Sequence, residues 1–174
     1  YEAIIKAIRT GNGLTETLEV DPPFGKYHLT GHRSCNVCFT PLESAQLQKM
    51  CPVCHKKLTI GVLERVETLA TRKVEEAKKL AKHRKPYKTL VPLFELLAVH
   101  LHSGVASQKV WKTYSQLVNP VLGRTEFEIL LRTPEQELKT LVDPVIAALI
   151  LKNRAGKIHV KPGYDGVYGV PLVS

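Results

Sequence analysis

The chain has 174 residues, 44% of them hydrophobic, with 25 Lys or Arg against 16 Asp or Glu and a formal charge of +9. That length accommodates one ordinary domain or two small ones, and the apolar content excludes a disordered tail. No apolar run reaches the roughly 20 residues that cross a bilayer, no secretory signal is evident, and the basic balance favours a polyanionic partner over a membrane.

Tyr1–Arg9 has the pattern of a helix that begins without a methionine, so a fragment of something longer is expected. Leu14–Val20 reads as a strand, followed by a loop through Asp21-Pro22-Pro23 and Gly25.

All four cysteines then fall within twenty positions, as Cys35-x-x-Cys38 and Cys51-x-x-Cys54 with twelve residues between the pairs. Two such pairs match a structural zinc site, because each tight turn aims two sulfurs at one ion. Four thiolates leave no open position for water, so Cys35, Cys38, Cys51 and Cys54 are expected to hold one structural Zn2+. His32 and His55 flank the pairs and are alternative ligands; with four thiolates available they are expected to be neighbours of the metal. Thr40 followed by Pro41 marks a short helical turn. A unit this small draws its folding free energy from the metal.

From Thr59 the pattern becomes helical. A long helix is expected from about Gly61 to Lys85, with Leu63, Val66, Ala70, Val74, Ala77 and Ala81 as one buried stripe. Pro86 ends it. Further helices are expected from Pro92 to near Gly104, from Ser107 to Val118, after Thr133-Pro134-Glu135-Gln136 as a capping box, and from Asp143-Pro144 to near Gly156. Trp111 and Tyr114, at helical spacing, are expected in the core. The tail KIHVKPGYDGVYGVPLV alternates and turns at Pro162-Gly163 and Asp165-Gly166, which predicts a hairpin.

Positive charge is concentrated between Arg72 and Lys88, where eight Lys or Arg face Glu75 and Glu76. A charge run is most often a solvated helix face; next to a zinc unit it also suits phosphate contact. Arg72, Lys79, Lys82, Arg84, Lys85 and Lys88 are the candidates, with Tyr87 placed to stack. In the tail, Tyr164, Asp165 and Tyr168 lie among glycines that let a backbone approach a ligand. They are candidates for contact with a flat base, against the plainer reading of a hairpin packed on helices. No phosphate-binding glycine loop, HExxH or clustered Asp/His set is present, so no hydrolytic centre is expected in this chain alone.

The fold expected is α+β, mainly α. A small four-cysteine, zinc-ribbon-like unit precedes a helical domain that ends in a short β hairpin. Three stretches in this order, Gly25-Lys26-Tyr27-His28 with Gly31-His32-Arg33 and the CxxC pairs, Gly61–Val66, and Pro162–Gly169, resemble the C-terminal half of the endonuclease Q family. The resemblance covers nearly the whole chain. It implies a parent in which a PHP-type phosphoesterase domain precedes the zinc unit and nicks DNA 5′ of deaminated bases such as hypoxanthine and uracil. Residues 1–30 would then be the end of that domain, 31–58 the zinc unit, and 59–174 a helical DNA-binding domain. The catalytic metals of such a parent lie in its PHP domain, and no catalytic residue carries over to this chain. The implied partners are double-stranded DNA containing a deaminated base and the N-terminal PHP nuclease domain, with a sliding clamp as a candidate recruiter and a cytoplasmic location. The alternative is a zinc-containing DNA-binding accessory module of a helicase-like or other repair protein without lesion specificity. Residues 127–156 faintly resemble helix-hairpin-helix units, but Val142-Asp143-Pro144 stands where a glycine hairpin belongs. A protein-interaction scaffold is the third class.

Overall fold

A computed structural model describes residues 1–81 and 84–173. Helix α1 (Glu2–Thr10) leads to strand β1 (Thr17–Glu19). A hairpin of β2 (Thr30–His32) and β3 (Val37–Phe39) follows, and then α2 (Pro41–Gln46). Thr40 and Glu43 form the reciprocal capping box that the Thr-Pro start foreshadows.

Helices α3 (Val62–Leu69) and α4 (Val74–Leu80) replace the single helix expected over 61–85. The chain turns extended at Ala70, where ψ is 124°. The break folds the apolar residues of both helices toward one groove of about 540 Å³, lined by Val66, Leu69, Val74, Ala77 and Leu80. The expected stripe is therefore shared between two short helices and stays exposed, with Val66 and Val74 more than half accessible.

Strand β4 (Tyr87–Thr89) pairs parallel with β1 in the register Leu18 to Lys88. This pairing has no local sequence signal, because its partners are about seventy residues apart. It closes the segment from β2 through α4 into one excursion.

The core lies in the helices that follow: α5 (Leu93–His100), α6 (Gln108–Leu117), α7 (Glu126–Leu131), α8 (Glu135–Leu141) and α9 (Pro144–Arg154). Leu93, Leu96, Leu97, Val110, Leu117, Ile129, Leu138 and Ala147 are fully buried. Each large aliphatic side chain among them contributes about 1.5–3 kcal/mol of burial. Ser107 and Asp143 cap α6 and α9 as their sequence positions predict. Thr133 does not cap α8; its hydroxyl donates to the Glu128 carbonyl, and Pro134 takes the cap position. Trp111 is packed on Phe94 and Tyr114 yet remains 46% exposed, so it edges the core instead of entering it.

Two polar side chains at the end of α9 bind the bundle together. Buried Asn153 accepts from the Val91 amide at 3.0 Å and donates to the Val91 carbonyl at 2.9 Å. Arg154 donates to the carbonyls of Leu130, Ile129 and Thr133, which satisfies the C-terminal end of α7. The expected tail hairpin is present as β5 (His159–Lys161) and β6 (Val170–Leu172), antiparallel, with Val160 opposite Pro171. Among the described residues, no helix is long and apolar enough to cross a membrane.

Candidate metal centre and the surface around it

His32 ends β2, and a 3-10 turn over Arg33–Cys35 carries the chain back through Asn36, whose φ of 53° permits the reversal. The second turn is closed by the Cys51 amide donating to the Lys56 carbonyl and the Leu58 amide donating to that of Lys49. Together they gather Nδ1 or Nε2 of His32 and the sulfurs of Cys35, Cys51 and Cys54, all within 4.8 Å of one another.

This group differs from the expected set of four cysteines: His32 stands in it and Cys38 does not. His32-Arg-Ser-Cys35 has the same i, i+3 spacing as Cys51-Pro-Val-Cys54, and it supplies the first pair. Cys38 lies opposite Gly31 in the β2–β3 ladder, whereas His32 lies opposite Val37. Side chains alternate along a strand, so Cys38 emerges on the other face, where it is exposed. The signal for His32 was in the sequence, but a fourth cysteine nearby masked it. His55 stays outside the group.

The four donors fit a tetrahedral ion. Zinc bonds of about 2.0–2.3 Å imply ligand–ligand edges of roughly 3.5 Å, and Cys54 Sγ lies 3.3 Å from His32 Nδ1. Three thiols and an imidazole are a borderline-soft donor set suited to zinc. Two of the thiols are shifted in opposite directions. Burial pushes the Cys51 thiol up, but the Cys54 and Val53 amides and the His32 and Cys54 side chains more than reverse this, to about 6. Burial, with hydrogen bonds to Cys54 and Cys51, pushes Cys35 to about 11. Neighbouring thiolates repel, and a dication at the centre relieves that repulsion. When bound, zinc would cross-link the two turns; with four protein ligands it would have no open position for substrate.

Glu64 connects this unit to α3. It is 6% exposed, accepts from the Thr30 hydroxyl at 2.5 Å, and pairs with Lys49 at 2.9 Å. Thr30 in turn accepts from the Gly61 amide at 2.9 Å, which fixes the first turn of α3. Burial raises the Glu64 carboxyl, but hydrogen bonds from Thr30 and Lys49 outweigh it and hold the group below the usual range. The buried Ser44 hydroxyl favours the charged carboxylate without meeting hydrogen-bond geometry.

The glycine-rich tail docks on the metal hairpin. Tyr164 is 8% exposed and donates its hydroxyl to Asn36 Oδ1 at 2.8 Å. A Cβ on Gly31 would sit 2.6 Å from its ring, so only glycine allows this approach. Asp165 accepts from the Arg33 amide at 2.6 Å. Of the residues expected to meet a base, Tyr164 is buried and Asp165 is engaged by the Arg33 amide within the chain. Tyr168 is 61% exposed.

Arg72, Lys79, Arg84, Lys85 and Lys88 are all exposed, Lys79 on α4, Arg72 just before it, Arg84 and Lys85 after it, and Lys88 on β4. Lys88 is paired with Glu16 at 3.0 Å. Lys82 lies outside the described residues. Tyr87 is 66% exposed on β4.

No family model matches the chain. It is 32% identical over 169 residues to the uncharacterized protein MJ0043 of Methanocaldococcus jannaschii, covering 97% of this chain and 20% of that protein. It is 32% identical over 151 residues to the uncharacterized protein YqxK of Bacillus subtilis, covering 86% of this chain and 33% of that protein. The chain therefore spans a fifth to a third of these relatives. Among solved structures it is similar to the lesion-specific endonuclease PfuEndoQ of Pyrococcus furiosus, with 29% identity and a TM-score of 0.78 over 98% of this chain and 41% of that one. It is equally similar to endonuclease Q in complex with a 27-mer duplex substrate with an abasic lesion at the active site, with 29% identity and a TM-score of 0.80 over 100% of this chain and 42% of that one. The resemblance to part of endonuclease Q, drawn from three short motifs, extends through the whole chain.

Proposed function

We propose that this chain is the DNA-binding part of a repair endonuclease that resembles endonuclease Q and nicks DNA 5′ of deaminated bases. The observation that carries this reading is the similarity, at 29% identity over the whole of this chain and 42% of the other, to an endonuclease in complex with a duplex substrate. The formal charge of +9 and the exposed cations around α4 support it, since phosphate neutralisation supplies most non-specific affinity for DNA.

In this reading the chain performs no hydrolysis by itself. The His32–Cys35–Cys51–Cys54 group would be saturated by its protein ligands, so it has a structural role. Hydrolysis belongs to a PHP-type domain of the parent, with residues 1–30 as that domain's end. An enzyme acting beside a damaged base must hold the backbone while the base leaves the stack. The metal unit serves this by pinning the tail and α3 to one rigid hairpin.

The test is fluorescence anisotropy of the chain with three labelled duplexes, one intact, one with a deoxyinosine and one with a deoxyuridine, at two salt concentrations. Salt-sensitive binding with preference for the deaminated duplexes is expected. Equal binding to all three favours the accessory-module reading, in which the chain grips phosphates and lesion choice lies elsewhere. Absence of binding overturns the proposal.

A further inference from the structure

Two segments remote in sequence meet beside the metal hairpin at a surface unused so far. The Gly166 amide donates to the Lys26 carbonyl at 2.8 Å, and the Gly169 amide donates to that of Phe24 at 3.0 Å. These bonds hold the tail against residues 24–26. Lys26 Nζ consequently lies 5.7 Å from the ring centroid of Tyr27 and 5.7 Å from that of Tyr168. Tyr27 is 45% exposed and Tyr168 61%. Arg33 reaches the same turn: a Cβ on Gly166 would sit 3.4 Å from its Nη1 and 3.8 Å from the Tyr27 hydroxyl.

Both cations are exposed, and among the described residues neither makes an ion pair. The nearby carboxylate of Asp165 is occupied by the Arg33 amide, 2.6 Å away. Phe24, 6.5 Å behind the Tyr168 ring, backs it from within. Two exposed aromatic rings around a common ammonium, with a guanidinium at the edge, are the groups that stack on unpaired bases and neutralise the flanking phosphates. The rings are exposed where apolar burial favours covering them, and each has a polar tip that tolerates water until a base arrives.

We propose that Lys26, Tyr27, Arg33 and Tyr168 form a contact patch for an unstacked nucleotide of a DNA strand. The tyrosine rings take the base, and Lys26 and Arg33 take the adjoining phosphates. This rests on the DNA-binding reading above and adds to it a second binding region, separate from the α4 cations.

The test compares the full chain with four double variants, Y27A/Y168A, Y27F/Y168F, K26A/R33A and, for the α4 cations, R84A/K85A. Anisotropy is read on a paired duplex, the same duplex with one bulged nucleotide, and a short single strand, at two salt concentrations. Zinc content and circular dichroism check folding. Y27A/Y168A is expected to lose roughly ten-fold or more in affinity for the bulged duplex and single strand. It should bind the paired duplex nearly as the unaltered chain does, and Y27F/Y168F should retain binding to all three. K26A/R33A is expected to weaken every probe and to flatten the salt slope by up to about 0.9 for each phosphate no longer neutralised. If Y27A/Y168A binds the bulged duplex normally while R84A/K85A is weakened, the patch is refuted and the DNA-binding reading stands. If the unaltered chain binds no DNA, both fall. Loss of binding to poly-glutamate without any change on DNA would make the patch a protein-binding surface and refute it.

Discussion

The backbone amide of Arg33 donates a 2.6 Å hydrogen bond to the carboxylate of Asp165, 132 positions later in the chain. That bond ties the metal hairpin to the C-terminal tail. Burial raises the Asp165 carboxyl, but the Arg33 amide, the Thr59 side chain and the His32 and Arg33 charges more than offset it and hold the group below the usual range. A depressed carboxyl stabilises the fold above its unfolded pKa of about 3.9 and ceases to do so as pH falls through the folded value. Asp165→Asn is expected to lower stability by about 1 kcal/mol near neutral pH. The gap between variant and unaltered chain should close as pH falls below the usual carboxylate range. Paired urea melts at each pH measure it; a gap independent of pH contradicts the assignment.

Cys38 is predicted to be dispensable for the metal. After dialysis Cys38→Ser should retain about one zinc per chain, whereas His32→Ala and Cys51→Ser should retain less and expose residues 31–58 to protease. Metal analysis by mass spectrometry decides it. Zinc loss from Cys38→Ser with retention in His32→Ala would restore the four-cysteine set.

Gly31→Ala should separate the tail from the hairpin. The added methyl meets the Tyr164 ring and the Val37 carbonyl at 2.6 and 2.7 Å, so one of them must shift. A loss of about 1–3 kcal/mol is expected from overpacking. Tyr164 should become accessible to iodination or nitration, which a merely global loss at the same temperature would not single out.

Glu64→Gln should loosen the start of α3 from the metal unit. Lys49 is itself largely exposed, so most of the effect comes from the charged hydrogen bond with Thr30, and about 1–2 kcal/mol is expected. Hydrogen exchange of the Gly61 and Val62 amides reports it directly. Unchanged protection there would show that the network does not hold α3.

Replacing Arg72, Arg84 and Lys85 by alanine should weaken DNA binding and flatten its salt dependence by up to about 0.9 for each phosphate left without its cation. Lys88 is left in place because its ion pair with Glu16 joins β4 to the chain before β1. An unaltered salt slope in this triple variant would move the phosphate-binding surface away from α4.

Features governed by neighbours in sequence were legible in the sequence alone. Thr40-Pro41, Ser107 and Asp143-Pro144 announce their helices because a cap satisfies amides two or three residues away. Cys51-x-x-Cys54 announces half of a metal site for the same reason. Other features depended on partners far along the chain, and only the tertiary structure decided them. The β2–β3 register sets Cys38 on the face away from the group that His32 joins with Cys35, Cys51 and Cys54. The approach of Gly31 turns Tyr164 from a candidate for base stacking into a buried strut. The apolar stripe over 61–85 specifies a helical period but not the bend at Ala70 that divides it. Lys26, Tyr27, Arg33 and Tyr168 carry no common signal in the sequence; the hydrogen bonds of the tail bring them to one surface.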